Sequence, residues 1–219
     1  MKNNKQEEEK KKQVIGLYGE MQLAMILHNK GWQVHRSYID EGIDFVITKY
    51  YCTKCRKFVN QYIRYKKYDN KNVKCVTNLC DKCQNDSLKI VTRYLQVKTS
   101  EGVDKGKKDV KDFSFHPKIR YNIDKDVFYV WIAVFTNDNF NNDSDLNKLY
   151  DSIHYYIFNS KDVEKFDDLN LPTYQITDNQ KTELPIHKNG KIMKKGAKYD
   201  YSCFDEFHNN FSILEKYEE

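Results

Sequence analysis

Residues 94–100 read YLQVKTS and residues 40–47 read DEGIDFVI. Each has the pattern of a β-strand with one apolar face, and each sets a polar or charged group where that pattern would otherwise continue. Side chains alternate between the two faces of a strand. In the second stretch Ile43, Phe45 and Ile47 therefore share one face, while Asp44 looks the other way with Val46. In the first, Gln96 and Lys98 lie together, opposite Leu95 and Val97. If the two strands pair as a hairpin, Asp44, Gln96 and Lys98 converge at one place.

Outward from these stretches the chain reads as α/β. A helix is expected from Val14, since Val14, Leu17, Tyr18, Met21, Ala24, Met25 and Leu27 recur at steps of mostly three and four up to Gly31. Residues 1–12 form a mixed-charge, flexible start to it. On this helix Glu20 borders the apolar stripe and is able to face the sheet. GWQVHRSYI (31–39), GIDFVITKYY (42–51) and SLKIVTRYLQVKTS (87–100) read as three strands, followed by a loop rich in Lys and Asp over 101–112. DVFYVWIAVF (126–135) has the length and β-branched, aromatic content of a buried central strand. SIHYYIFN (152–159) is a further strand, and SKDVEKF (160–166) a short helix capped by Ser160. The Asn-Gly pair in KNGK (188–191) favours a hairpin, with a terminal helix from about Cys203.

At 219 residues the chain holds one sizeable domain with room for a small insertion. Charged residues reach 32%, yet aromatics make up 14%, too many for a mainly disordered chain. The net charge of +5 tilts modestly toward an anionic partner. No apolar run approaches the ~20 residues needed to span a bilayer, and the charged N-terminus has no apolar segment behind it. A soluble, cytoplasmic protein without membrane contact is expected.

A glutamate in the first helix, GID in the next hairpin and QVK on the following strand resemble the PD-(D/E)xK nuclease superfamily, closest to its Mrr-like and Holliday-junction-resolvase-like branch, where Gln often replaces the second acid. The resemblance spans roughly residues 14–160 with the insertion set aside. It implies a restriction-endonuclease-like αβββαβ core: a mixed central sheet flanked by helices. It also implies that Asp44 is the principal ligand of a catalytic Mg²⁺ or Mn²⁺, that Glu20 is a direct or outer ligand, that Gln96 gives a neutral oxygen, and that Lys98 is the catalytic lysine. Mg²⁺ prefers hard oxygen ligands and keeps several waters, which suits such a set. The implied activity is endonucleolytic hydrolysis of DNA, with a role in restriction or defence, and a homodimer or partner subunit to reach both strands. Two alternatives stand beside it: a nuclease-fold DNA-binding protein without cleavage, and a zinc-ribbon adaptor that binds protein or RNA.

Residues 52–86 read as an insertion that accounts for the long separation of Asp44 from Gln96. CTKC (52–55) and CDKC (80–83) are two Cys-x2-Cys pairs, the spacing of a four-cysteine structural zinc site, with Cys52, Cys55, Cys80 and Cys83 as ligands. Cys75 offers a fifth thiol, and a pair of disulfides is the less favoured reading. Arg56, Lys57, Arg64, Lys66 and Lys67 alternate with tyrosines in a composition suited to phosphate contacts and base stacking, and equally to a solvated surface. A second basic run at 187–199 offers a further contact to a duplex. His116 is given no role.

Overall fold

A computed structural model describes residues 2–37, 42–60, 62–69, 72–107, 109–115, 126–136, 150–159, 162, 173–176, 179–193 and 202–217. It has an α/β architecture with a mixed sheet and, beyond short 3-10 turns, one helix among the described residues, α1 (Lys2–Asn29). The charged N-terminal run forms the first turns of α1, and residues 8–14 are exposed. The chain divides into two compact units, Met1–Gln22 with Leu95–Glu219, and Leu23–Tyr94; the boundaries fall within α1 and within β6 (Leu88–Glu101).

In the second unit β1 (Gln33–Arg36) pairs antiparallel with Phe45–Thr48 of β2 (Phe45–Cys52), and β3 (Lys57–Val59) pairs with Tyr50–Cys52. The first half of β6 is the other neighbour of β2. Alternation is sharp. Phe45, Ile47, Lys49 and Tyr51 are buried, with Leu23, Leu27 and Trp32 also buried in this unit. Lys49 donates from Nζ to the Lys30 carbonyl at the end of α1 (2.6 Å) and lies over the Trp32 ring. On β6, Val91 and Arg93 are buried, and Lys89 reaches over the Tyr51 ring, so the odd-numbered residues share the face of Tyr51. The expected insertion carries a two-stranded hairpin, β4 (Tyr62–Asp69) with β5 (Asn72–Cys80).

In the first unit β6 neighbours β9 (Val127–Thr136), which pairs antiparallel with β10 (Tyr150–Asn159). Trp131 donates from Nε1 to Ser100 Oγ, and Gly102 N–H to the Val134 carbonyl, so contacts advance together along β6 and β9 as a parallel pair requires. Every residue of β9 is buried, because both its faces are covered. On one side Gly19 of α1 sits so close to Thr99 that an added Cβ would lie 2.6 Å from Thr99 Oγ1 and 3.4 Å from Ile132 Cδ1. Lys11 pairs with Glu101 on this same side (2.7 Å). On the other, Phe113 and Phe115 of β8 (Val110–Phe115) pack tilted against Phe135 and Trp131, ring centroids 4.8 Å apart in each pair.

The stretch 101–112, expected as a loop, contains β7 (Val103–Asp104) and the start of β8, which join β12 (Asn179–His187) and β11 (Thr173–Ile176) in a second sheet. The described residues between β6 and β9 thus hold strands and no second helix. The terminal helix expected from Cys203 is instead two 3-10 turns, Ser202–Phe204 and Phe211–Glu215. The expected helix at 160–166 lies outside the described residues apart from Asp162. The Asn-Gly turn forms as expected: His187 N–H donates to the Lys191 carbonyl (2.9 Å), with Gly190 at φ +86°.

Candidate functional site

Four cysteines meet in the second unit. Cys52, the last residue of β2, and Cys80, the last of β5, are fully buried; Cys55 and Cys83, three residues on, are half-buried. Their four Sγ atoms all lie within 4.8 Å of one another. Cys52 and Cys83 are 3.7 Å apart, Cys55 and Cys80 3.9 Å. These are not disulfides, which bring sulfurs to ~2.05 Å. They match the edge of a tetrahedron with metal–sulfur bonds of ~2.3 Å, about 3.8 Å. The set is therefore close enough to hold a metal ion and fits a structural centre with no open position. Cys75 lies on β5 opposite Lys67, and its side chain is outside the described residues.

Local backbone explains how two loops present the sulfurs. The residue after each pair, Arg56 (φ 54°) and Gln84 (φ 53°), takes the left-handed conformation that turns the chain back on itself. Cys55 N–H donates to Cys52 Sγ (3.4 Å), and Gln84 N–H to the Cys80 carbonyl (2.8 Å). Thr53 ties the two loops through its N–H to the Ser87 carbonyl (3.0 Å). Burial raises the Cys52 thiol, but the Cys55 N–H and the surrounding thiols outweigh it and bring it to about 7. Hydrogen bonding with Cys83, and then burial, push Cys55 up to about 12.

The residues that the resemblance implies for catalysis divide between the units. Asp44, half-buried in the second unit, immediately precedes β2, and its carbonyl accepts from Ser37 N–H (3.1 Å). By alternation it belongs with Val46 and Thr48, on the face of β2 turned away from the buried Phe45–Ile47–Lys49 set. Glu20, Gln96 and Lys98 are in the first unit. Gln96 and Lys98 share their face of β6 with Ser100, the side opposite Thr99 and hence opposite α1. The structure brings Gln96 and Lys98 onto one face and sets α1, with the half-buried Glu20, on the other. Lys98 is exposed. Gln96 is 4% exposed, and its side-chain oxygen is shut from solvent with no hydrogen-bond partner among the described residues. A buried vacant acceptor costs about 1–3 kcal/mol, so an oxygen left this way calls for a donor or a cation.

Of the residues expected to touch nucleic acid, Arg56 and Lys57 are exposed beside the cysteine cluster. Arg64, Lys66 and Lys67 lie on β4, with side chains outside the described residues, as does the basic run 187–199 beyond residue 193. Among the described residues no helix is long and apolar enough to cross a membrane.

One polar pair in the first unit has no signature in the sequence. His154 Nδ1 and His208 Nε2 stand 3.0 Å apart, His154 Nε2 donates to the Lys188 carbonyl (2.9 Å), and His208 Nε2 also lies 3.1 Å from Asn209 Nδ2. Burial holds both imidazoles below their usual 6.5; for His154 the Lys188 carbonyl opposes the shift and the neighbouring His208 adds to it, while for His208 Asp205 opposes it. Each ring folds more readily when neutral, so the unfolded chain binds more protons just below pH 6.5. Stability from the pair is complete above pH 6.5 and is lost as pH falls toward the depressed folded values. Thermal unfolding between pH 8 and pH 5 is expected to show a falling midpoint below about pH 6.5 that is flattened in His154→Phe.

No family model, curated protein or solved structure matches this chain.

Proposed function

We propose that this protein is a metal-dependent nuclease acting on DNA, with a structural zinc bound by Cys52, Cys55, Cys80 and Cys83. The observation that carries the nuclease reading is the vacant, buried side-chain oxygen of Gln96, two residues before the exposed Lys98 on the same strand face. In the PD-(D/E)xK resemblance Asp44 supplies a hard carboxylate, and Gln96 a neutral oxygen, for Mg²⁺ or Mn²⁺.

When bound, the divalent ion supplies charge stabilisation on the phosphate and lowers the pKa of water. Lys98 adds a cation that holds the scissile phosphate and orients the attacking water. The water oxygen bonds to phosphorus as the bond to the leaving oxygen breaks. A neutral Gln96 in place of an acid favours one second reading, a protein that binds DNA on this fold without cutting it.

Incubation of purified protein with plasmid DNA and Mg²⁺ or Mn²⁺ separates the two. Nicking or cutting is expected with wild type, reduced about 100-fold or more in Lys98→Ala and Asp44→Ala, as removal of a positioned charge from the transition state implies. DNA binding by wild type with no cutting under either metal establishes the second reading instead.

A further inference from the structure

We infer that, in the second unit, the face of the β1–β2–β6 sheet turned away from α1 is a platform for a single strand of DNA, with Tyr94 as its principal stacking residue. This rests on the nuclease reading, which puts a scissile phosphate near Asp44 on this face.

The two faces of this sheet differ sharply. Phe45, Ile47, Lys49 and Tyr51 of β2 and Val91 and Arg93 of β6 are buried, whereas Val46, Thr48, Tyr50 and Thr92 are half-buried and Ile90 and Tyr94 are 61% and 39% exposed. A large aliphatic and an aromatic side chain facing water along one strand face form an apolar surface that folding leaves uncovered. Directly paired strand residues share a face, so His35 of β1, opposite Val46, and Gln33, opposite Thr48, add exposed polar groups beside it. The surface is therefore flat, apolar at its centre and hydrogen-bonding at its edge.

That combination suits unpaired bases. An aromatic ring on a sheet stacks on the π-face of a base, and such contacts tolerate any sequence. A duplex hides those π-faces within its own stack and presents groove edges, which a flat sheet does not enter. Tyr50 extends the platform toward the cysteine cluster: its hydroxyl accepts from Asn78 Nδ2 (3.0 Å), and its ring packs against the core formed by Cys52, Val59 and Cys80. Exposed cations stand at the cysteine end, Lys54 and Arg56 in the first cysteine loop and Lys57 at the start of β3, where a phosphate backbone crossing the face finds opposite charge. From Asp44 to Tyr50 the strand rises roughly 20 Å, room for a few nucleotides.

Fluorescence anisotropy with the zinc-loaded full chain and no added Mg²⁺ tests this, with a labelled 12-nucleotide DNA strand, the same sequence as a duplex, and the same sequence as RNA. The single DNA strand is expected to bind at least 10-fold more tightly than the duplex. Tyr94→Ala is expected to weaken it roughly 10- to 100-fold, with Tyr94→Phe restoring most of the loss, as stacking without the hydroxyl requires. Unchanged thermal unfolding of Tyr94→Ala shows that the loss is in contact rather than folding; Ile90→Ser serves if that variant unfolds early. Equal affinity for strand and duplex, or indifference to Tyr94→Ala, overturns the platform, and tighter binding of the RNA strand overturns its assignment to DNA. Cleavage without Tyr94-dependent binding defeats the platform alone. Tyr94-dependent binding by a protein that cuts nothing defeats the nuclease reading alone.

Discussion

Cys80→Ser is expected to strip the metal from the protein and to unravel the segment that the cysteine loops organise, the largest single effect among the substitutions considered. The reason is the poverty of the surrounding core. The buried cluster there comprises Cys52, Val59 and Cys80, with Tyr50, Cys55, Cys83 and Leu88 only partly buried against it. Three small side chains do not bury enough apolar area to fix two loops and the ends of three strands, at ~25 cal/mol per Å². Coordination does: structural zinc contributes apparent free energies of ~10–16 kcal/mol in isolated zinc-binding peptides near neutral pH, comparable to the whole stability of a domain. Metal analysis is expected to give one zinc per wild-type chain and none in Cys80→Ser, and hydrogen exchange across 50–88 is expected to accelerate in the variant and in chelator-treated wild type. Cys203→Ser, on a half-buried cysteine outside the cluster, is expected to leave metal content unchanged. Wild-type protein that carries no zinc and exchanges these amides slowly would sink the idea.

The cysteine cluster and the strands of strong pattern were legible for physical reasons that do not extend to the whole chain. Two Cys-x2-Cys pairs announce a site because short loops leave few other ways to satisfy four thiols. The run 127–135 announces a strand because burial on both faces demands an unbroken apolar sequence. Residues 101–112 read as a loop because the charges of the Lys–Asp stretch outweigh its sparse apolar positions, yet Phe113 and Phe115 just beyond it, at 0% exposure, fix β8 against β9. The C-terminal segment misleads in the opposite direction. Phe204, Phe207, Phe211 and Leu214 recur at helical steps, and all are buried. Between them Asn209 takes φ +52° and its side-chain oxygen accepts from Tyr155 N–H (3.0 Å), so docking on β10 wins over helix propagation and splits the segment into two turns. Of the residues singled out for catalysis, strand alternation correctly kept Gln96 with Lys98, since it depends on the strand alone. The side of the sheet on which α1 packs is set by tertiary contact, Gly19 on Thr99, and the helix pattern around Glu20 carries no record of it.

Gly190→Ala is expected to destabilise the first unit by about 2–5 kcal/mol, the second large effect, and to do so through the histidine pair. Gly190 is buried with φ +86°, in the left-handed region where a Cβ costs ~1–2 kcal/mol. The Cβ would also lie 2.1 Å from His208 Nε2 and 2.6 Å from His154 Nδ1, closer than any non-bonded carbon sits, and overpacking of this kind costs ~1–3 kcal/mol. Neither ring has an easy escape. His154 is anchored by the Lys188 carbonyl, His208 packs against the Tyr156 ring, and the Tyr156 hydroxyl donates to the Gly190 carbonyl itself (2.6 Å). The turn of 187–191, the middle of β10 and the C-terminal segment are thus held at one point. Urea unfolding of Gly190→Ala, His208→Ala and the double variant separates the two costs. If the ring clash is real, the double variant is more stable than the sum of the single losses predicts, because removal of the His208 imidazole relieves the two closest contacts and leaves the backbone cost and the contact with His154. Strict additivity would leave the left-handed turn as the whole reason for glycine here, and an unchanged midpoint in Gly190→Ala would show that neither the turn nor the histidine pair is formed as described.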